Sequence, residues 1–292
     1  MMTIPTDERL PVRTKIMYGA GDIGFSLTDT TIAVLFTIFL IDVAGLDPGR
    51  VAVALFIGRS WDYINDPMVG FISDRMRTRW GRRRPFLLFG FIPFAITFSL
   101  MWWIPPGLSK EWLVVYFASI YLIFEACATL VYMPYYTLTP ELTLDYDERT
   151  SLTSYRMAFS IIGGLLAFTV PLEVIGSTIP QNADRVFQVG VAFAILSALP
   201  LLITFLGTRE RKEHQNQPQP GLRDSFRAAV KNRPFIFAAG IFLFTWSALE
   251  FVQGILLFFL KYRMRMEEYS QYIAGAVFIS ALLTLPLWVW AS

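Results

Sequence analysis

Arg59, Asp62 and Asp66 stand at i, i+3 and i+7 within the otherwise apolar stretch 58–70. On a helix the three fall within about 60° of one another, so one face carries a guanidinium and two carboxylates. A lone charge at the centre of a bilayer costs about 2.5–3.5 kcal/mol on insertion scales. Three of them in two turns therefore call for a cation, a substrate or a partner helix opposite that face. Carboxylates and the amide of Asn65 are hard oxygen donors of the kind such cations take. Pro67 removes one helical hydrogen bond and releases the carbonyl of Tyr63 as a further oxygen. Arg59 supplies a counter-charge when no cation is bound; the plainer reading makes it half of an internal ion pair, which accounts for one Asp but not both.

The elements that must position these residues are apolar and long. Of the 292 residues 54% are hydrophobic and 16% charged, against about 25% charged in soluble domains. Runs near the 20 residues that cross a bilayer lie at about 16–42, 50–73, 85–105, 112–138, 152–175, 186–207, 234–261 and 269–290. With the N-terminus inside, 17 of the 25 Lys and Arg fall in the N-terminal segment and inner loops and six in outer ones. That bias sets a cytoplasmic N-terminus, although the basic stretch 261–265 falls on the outer side. Nothing before the first span has the build of a cleavable secretory leader.

Six spans are followed by the polar stretch 208–221, then by an amphipathic segment, then by two more spans. The layout predicts an all-α membrane protein with a six-helix N-terminal bundle at 1–207. A cytoplasmic linker at 208–233 joins it to a partial second bundle at 234–292, of which only the first two helices are present. A two-bundle transporter with 3+3 inverted repeats has twelve spans, so the chain reads as truncated, with roughly four spans missing; a natural eight-span protein is the alternative. The single His214 and the single Cys127 leave no histidine relay, no His–Cys metal cluster and no disulfide framework. A P-loop and a nucleophile elbow are absent as well, so no enzyme is expected. The basic residues lie in loops with no aromatic-interleaved face, and no nucleic-acid partner is expected.

Other polar residues line up at helical spacing. Glu125, Thr129, Tyr132 and Tyr136 share a stripe of span four, and Asp22, Ser26 and Asp29 one of span one. Span five carries Arg156 and Ser160, with Gly163 and Gly164 permitting close helix approach. A buried Glu125 and a buried Arg156 would each be an uncompensated charge alone, so the two are expected to pair in at least one state.

The loop after span two runs Gly70-x-x-x-Asp74-Arg75, then Arg79-Trp-Gly81-Arg82-Arg83-Arg84. It resembles the signature loop of the major facilitator superfamily. The resemblance implies a cytoplasmic gate of Gly70, Asp74, Arg75, Arg79, Gly81 and Arg82, with Asp74 latched to a helix N-terminus or an Arg. Arg59-x-Trp-Asp62-x-x-Asn65-Asp66-Pro67, Tyr18-Gly-x-Gly21, Met133-Pro134-Tyr135 and Tyr155-Arg156 narrow the likeness. Together they resemble the glycoside–pentoside–hexuronide:cation symporters, the melibiose permease-like branch of that superfamily, over about residues 15–207.

That resemblance implies a cation site of Asp62, Asn65, Asp66 and Thr129, taking Na⁺ in preference to H⁺, with no other cofactor. It implies a substrate site built on Arg156, Glu125, Tyr132, Tyr136, Ser26, Asp22 and Asp29. Ser26 and Tyr132 replace the acidic residues with which galactoside carriers of the family hold sugar hydroxyls, and Tyr136 replaces a stacking Trp. The cation half is therefore retained while the galactoside grip is lost. Glu125 with Arg156, Trp103-Ile-Pro105 and Tyr132-Met-Pro134-Tyr are also similar to the sodium-coupled lysophospholipid symporters of the same wider family. The expectation is a monomeric, multi-pass inner or plasma membrane symporter for a sugar or glycoside. A lysolipid or other amphiphilic anion is the alternative cargo, and a non-transporting receptor or scaffold the alternative class.

Overall fold

A computed structural model describes residues 9–176, 179–210, 222–266 and 269–291. Asp62 lies on a helix, but its side chain, like those of several other helical positions, falls outside the described residues; so do His214 and most of the linker.

The first predicted span forms as a chain of short pieces. Helix α1 (Val12–Gly19) gives way at Ala20 to α2 (Gly21–Thr31), which continues through two π-helical turns, Ile32–Phe36 and Phe39–Val43. Helix α3 (Pro48–Arg75) starts where Asp47 accepts a hydrogen bond from the Arg50 amide, with Pro48 in the first turn, where its missing N–H costs nothing. It runs unbroken through Pro67. Then come α4 (Arg84–Met101), α5 (Lys110–Leu142) and α6 (Tyr146–Ile175), the last capped by Asp145 and stopped at Gly176, whose φ of 70° suits glycine. Helix α7 (Ala183–Gly207) closes the first bundle. After the linker stand α8 (Leu222–Lys231), α9 (Arg233–Phe258), prolonged by a π-turn at Phe259–Met264, and α10 (Ser270–Ala291).

Among the described residues, five of these stretches are long and apolar enough to cross a membrane: Arg84–Met101, Lys110–Leu142, Tyr146–Ile175, Pro180–Gly207 and Arg233–Met264. The other three predicted spans are helical too. The first is divided by its π-turns, and α3 carries the charges that make it interesting.

The two halves of the first bundle interleave. Helix α2 packs on α6 and α7, α3 on α5, and α4 on α5 and α7. Each helix of the first triplet thus buries itself mainly against the second triplet, as 3+3 repeats do. Glycines set the closest approaches around α2. A Cβ at Gly24 would stand 2.2 Å from the Ser197 carbonyl oxygen on α7, and one at Gly163 2.7 Å from that of Ile23. The core is aromatic: Tyr18, Phe94, Phe98, Tyr121, Phe124 and Tyr135 are all buried. From the second bundle, α9 lies on the π-turn Ile32–Phe36 and α10 on α6. Their remaining faces are apolar and open, with Phe237, Phe244 and Phe251 at least 70% exposed, as helices solvated by lipid would be.

Candidate functional site

Two walls of the first bundle carry the polar residues singled out above. On the α3–α5 wall the Thr129 hydroxyl donates to Asp66 Oδ1 at 3.1 Å. Asn65 Nδ2 donates to the Glu125 carbonyl at 3.4 Å, which leaves its oxygen as an acceptor. Asn65 and Thr129 are buried. Asp66 is half-buried, and among the described residues no basic side chain forms an ion pair with it. Three members of the expected set are therefore together, and Asp62 lies one turn away on α3. One carboxylate, one amide oxygen and one hydroxyl form a hard, singly charged oxygen cluster of the kind a monovalent cation takes.

On the α2–α6 wall Arg156 pairs with Asp22, Nε to Oδ2 at 3.1 Å and Nη2 to Oδ1 at 3.5 Å, with both side chains largely buried. This corrects the expected pairing with Glu125: in this conformation Asp22, across a tight helix crossing, neutralises Arg156. The guanidinium also lies over the Tyr136 ring, 4.5 Å from its centroid, and 5.3 Å from that of Tyr135. Tyr136 is 43% exposed, so this charged aromatic cluster faces accessible space. Tyr18 and Tyr135 lock α1 to α5 beneath it, each hydroxyl donating to the other's backbone carbonyl.

The other predicted substrate residues stand elsewhere. Ser26 spends its hydroxyl on the Ser160 carbonyl at 2.6 Å, a helix–helix bond. Tyr132 shares a hydrogen bond with Thr28 at 2.9 Å and packs edge-on against Phe25 at 3.9 Å between centroids, so it braces the wall. Glu125 and the exposed Asp29 lie within electrostatic reach of Arg59.

Arg59 itself turns away from its own helix. Its Nη1 lies 3.1 Å from Glu250 Oε2 on α9. The counter-charge expected from Asp62 or Asp66 is instead a carboxylate of the other bundle. Glu250 was missed in the sequence, although the energetic argument that singled out Arg59 applies equally to a lone acid in an apolar run. The pair borders a cavity of ≈ 500 Å³ whose walls are mainly apolar: Ile32, Phe36, Leu55, Phe242, Trp246 and Phe251.

Between the end of α3 and the start of α4 Asp74 Oδ1 meets Arg83 Nη2 at 2.9 Å, and Glu141 at the end of α5 is held by both Arg82 and Arg83. Glu210, just past α7, accepts from the backbone amides of Arg82, Arg83 and Arg84 at 2.6–2.9 Å and so caps the start of α4. Gly81, at φ 113°, makes the turn that aims those amides. Burial pushes the Arg83 guanidinium below its ordinary value, against the pull of Glu141 and Asp74. Of the expected gate, Asp74, Gly81 and Arg82 belong to this network. Gly70 has open space beside it, and Arg75 and Arg79 stack on Phe71 and Trp80 next to them. At the other end Lys261 meets Asp42 at 2.7 Å, which gives one residue of the basic stretch 261–265 a partner.

The family described as MFS/sugar transport protein matches residues 17–292. The chain is 32% identical to an uncharacterized symporter of Synechocystis sp., over 96% of this chain and 67% of that protein. It is 29% identical to the sodium-dependent lysophosphatidylcholine symporter 1-A of Danio rerio, over 96% of this chain and 59% of the other. The sphingosine-1-phosphate transporter MFSD2B of Mus musculus is also 29% identical, over 97% and 61%. The chain thus spans about three fifths to two thirds of the length of these relatives.

Proposed function

The chain belongs to the MFS/sugar transport protein family, and on that premise we propose that it forms the cation-binding half of a sodium-coupled symporter for an amphiphilic, lysolipid-like cargo. The observation that carries the coupling is Asp66, held by the neutral Thr129 hydroxyl beside Asn65 in a membrane span. A carboxylate in that setting is stabilised by a bound cation. Sodium neutralises the α3–α5 wall and so favours the conformation that takes cargo, and the linkage is reciprocal. The network of Asp74, Arg82, Arg83 and Glu141 latches the inner side, and the two bundles rock about the site.

The cargo reading rests on the cavity between the bundles. Its mainly apolar walls with the Arg59–Glu250 pair at one side suit an apolar tail below a charged group. Relatives named as carriers of lysophosphatidylcholine and of sphingosine-1-phosphate support it. A sugar is the second reading, favoured by the exposed Tyr136 ring beside the Asp22–Arg156 pair and by the family's description. The basic inner loops support a plasma-membrane protein with a cytoplasmic N-terminus.

Uptake by the full-length protein in proteoliposomes tests this, with labelled lysophosphatidylcholine and a panel of disaccharides supplied with and without an inward Na⁺ gradient. Na⁺-stimulated lysolipid uptake is expected. Na⁺-stimulated disaccharide uptake alone selects the sugar reading, and saturable binding without uptake selects a receptor.

A further inference from the structure

Two recesses at the outer end of the α3–α5 pair share a wall. One, of ≈ 360 Å³, is polar and bounded by Asp47, Arg50, Lys110 and Glu111. The other, of ≈ 490 Å³, runs down between the helices over Val53, Ala54, Ile57, Val115 and Ala118. Asp47, Arg50 and Val114 line both, so a charged compartment leads directly into an apolar groove.

This is not the transport route. At 100° per residue, Arg50, Ala54 and Ile57 centre on a face of α3 roughly 150° from the one carrying Leu55, Arg59 and Asp66. The groove therefore opens on the side of α3 away from the inter-bundle cavity. Val53, Ile57, Trp112 and Val115 around it are exposed, as residues that meet lipid are. The charges sit at the first turns of α3 and α5, where a span reaches the headgroup layer.

We infer that this recess binds one glycerophospholipid of the phosphatidylethanolamine class. Its phosphate lies against Arg50 and Lys110, its ammonium against Asp47 and Glu111, and one acyl chain in the groove. The charges at the mouth balance two against two, which matches a zwitterion rather than an anionic headgroup. A primary ammonium has three donors for the two carboxylates, whereas a quaternary choline has none. Asp47 gives Oδ1 to the Arg50 amide and keeps its second oxygen, and the Arg50–Glu111 contact is 3.4 Å long with both partners more than half exposed, an ion pair of little intrinsic strength. Lipid phosphate and ammonium can therefore replace it with charge-assisted bonds on both sides.

The test is native mass spectrometry of the purified, delipidated full-length protein titrated separately with dioleoyl phosphatidylethanolamine, phosphatidylcholine and phosphatidylglycerol. One phosphatidylethanolamine should be retained in preference to the other two. Binding should weaken about tenfold in Arg50→Gln/Lys110→Gln, the loss of roughly one charge-assisted bond. Ala118→Phe, which fills the groove without touching a charge, should weaken it as well. A melting temperature in detergent close to that of the parent serves as the check on folding for both variants. Equal retention of all three lipids, preference for phosphatidylglycerol, or unchanged binding by the double variant would each overturn the assignment.

Discussion

The two walls of the first bundle treat buried charge in opposite ways. On the α2–α6 wall, Asp22 and Arg156 neutralise each other at 3.1 Å, at a crossing tightened by Gly163. On the α3–α5 wall, Asp66 has a hydroxyl at the same distance and no ion-pair partner among the described residues. The first wall is electrically complete as it stands, and the second keeps a carboxylate that the proposed cation would neutralise. One bundle thus holds a paired carboxylate on one wall and one without an ion-pair partner among the described residues on the other.

The largest effect is expected at the carboxylate without an ion-pair partner. Asp66→Asn in the full-length protein should abolish sodium-stimulated uptake while leaving the melting temperature in detergent close to that of the parent. Retained sodium dependence would remove Asp66 from the coupling role. At the Asp22–Arg156 pair the order should reverse, with stability hit first. Arg156→Ala leaves the Asp22 carboxylate buried without its partner and should destabilise by about 3–5 kcal/mol. Adding Asp22→Asn should recover much of that loss in equilibrium unfolding, whereas adding Glu125→Ala should not. Recovery by Glu125→Ala would restore the pairing that the sequence alone pointed to.

A third experiment concerns the rigidity of the α2–α6 wall. A Cβ at Gly163 meets backbone at 2.7 Å, so Gly163→Ala must push the helices apart and should cost about 1–3 kcal/mol, read by thermal unfolding. The smallest effect belongs to the neutral ligand. Thr129→Val keeps the shape and removes one hydroxyl, worth about 1 kcal/mol, so half-maximal activation should need about fivefold more sodium. An unchanged sodium requirement would reduce Thr129 to a packing residue.

Much of the fold was legible from composition. Apolar runs of bilayer length and the polar stretch after α7 are local signals, and the helices formed where those signals lie. The π-turns in the first span were not legible, because a wide turn is imposed by what packs on it, here α9 against Ile32–Phe36. In the site, Asp66 could be read because charge in an apolar run is costly wherever the run goes, with Asn65 beside it, while Thr129 came in through the family resemblance. Glu141 and Glu210 were passed over because single acids near helix ends carry no pattern, and Glu250 was passed over although the cost of a lone acid in an apolar run marks it. Their roles exist only through partners 58 to 191 positions away.

The sequence by itself determined that this chain crosses a membrane in apolar helices, and that the charged face around Asp66 calls for a cation, a substrate or a partner helix opposite it. Helical register and the cost of desolvation are local, and they need no knowledge of neighbours. Only the tertiary structure decided which charge answers which: Arg156 with Asp22, Arg59 with Glu250, Glu141 between two arginines. It also decided that Tyr136 faces open space while Tyr132 braces a wall. Ion pairs and exposure depend on a few ångströms of helix placement, and that placement is set by glycine contacts and aromatic packing between segments far apart in the chain.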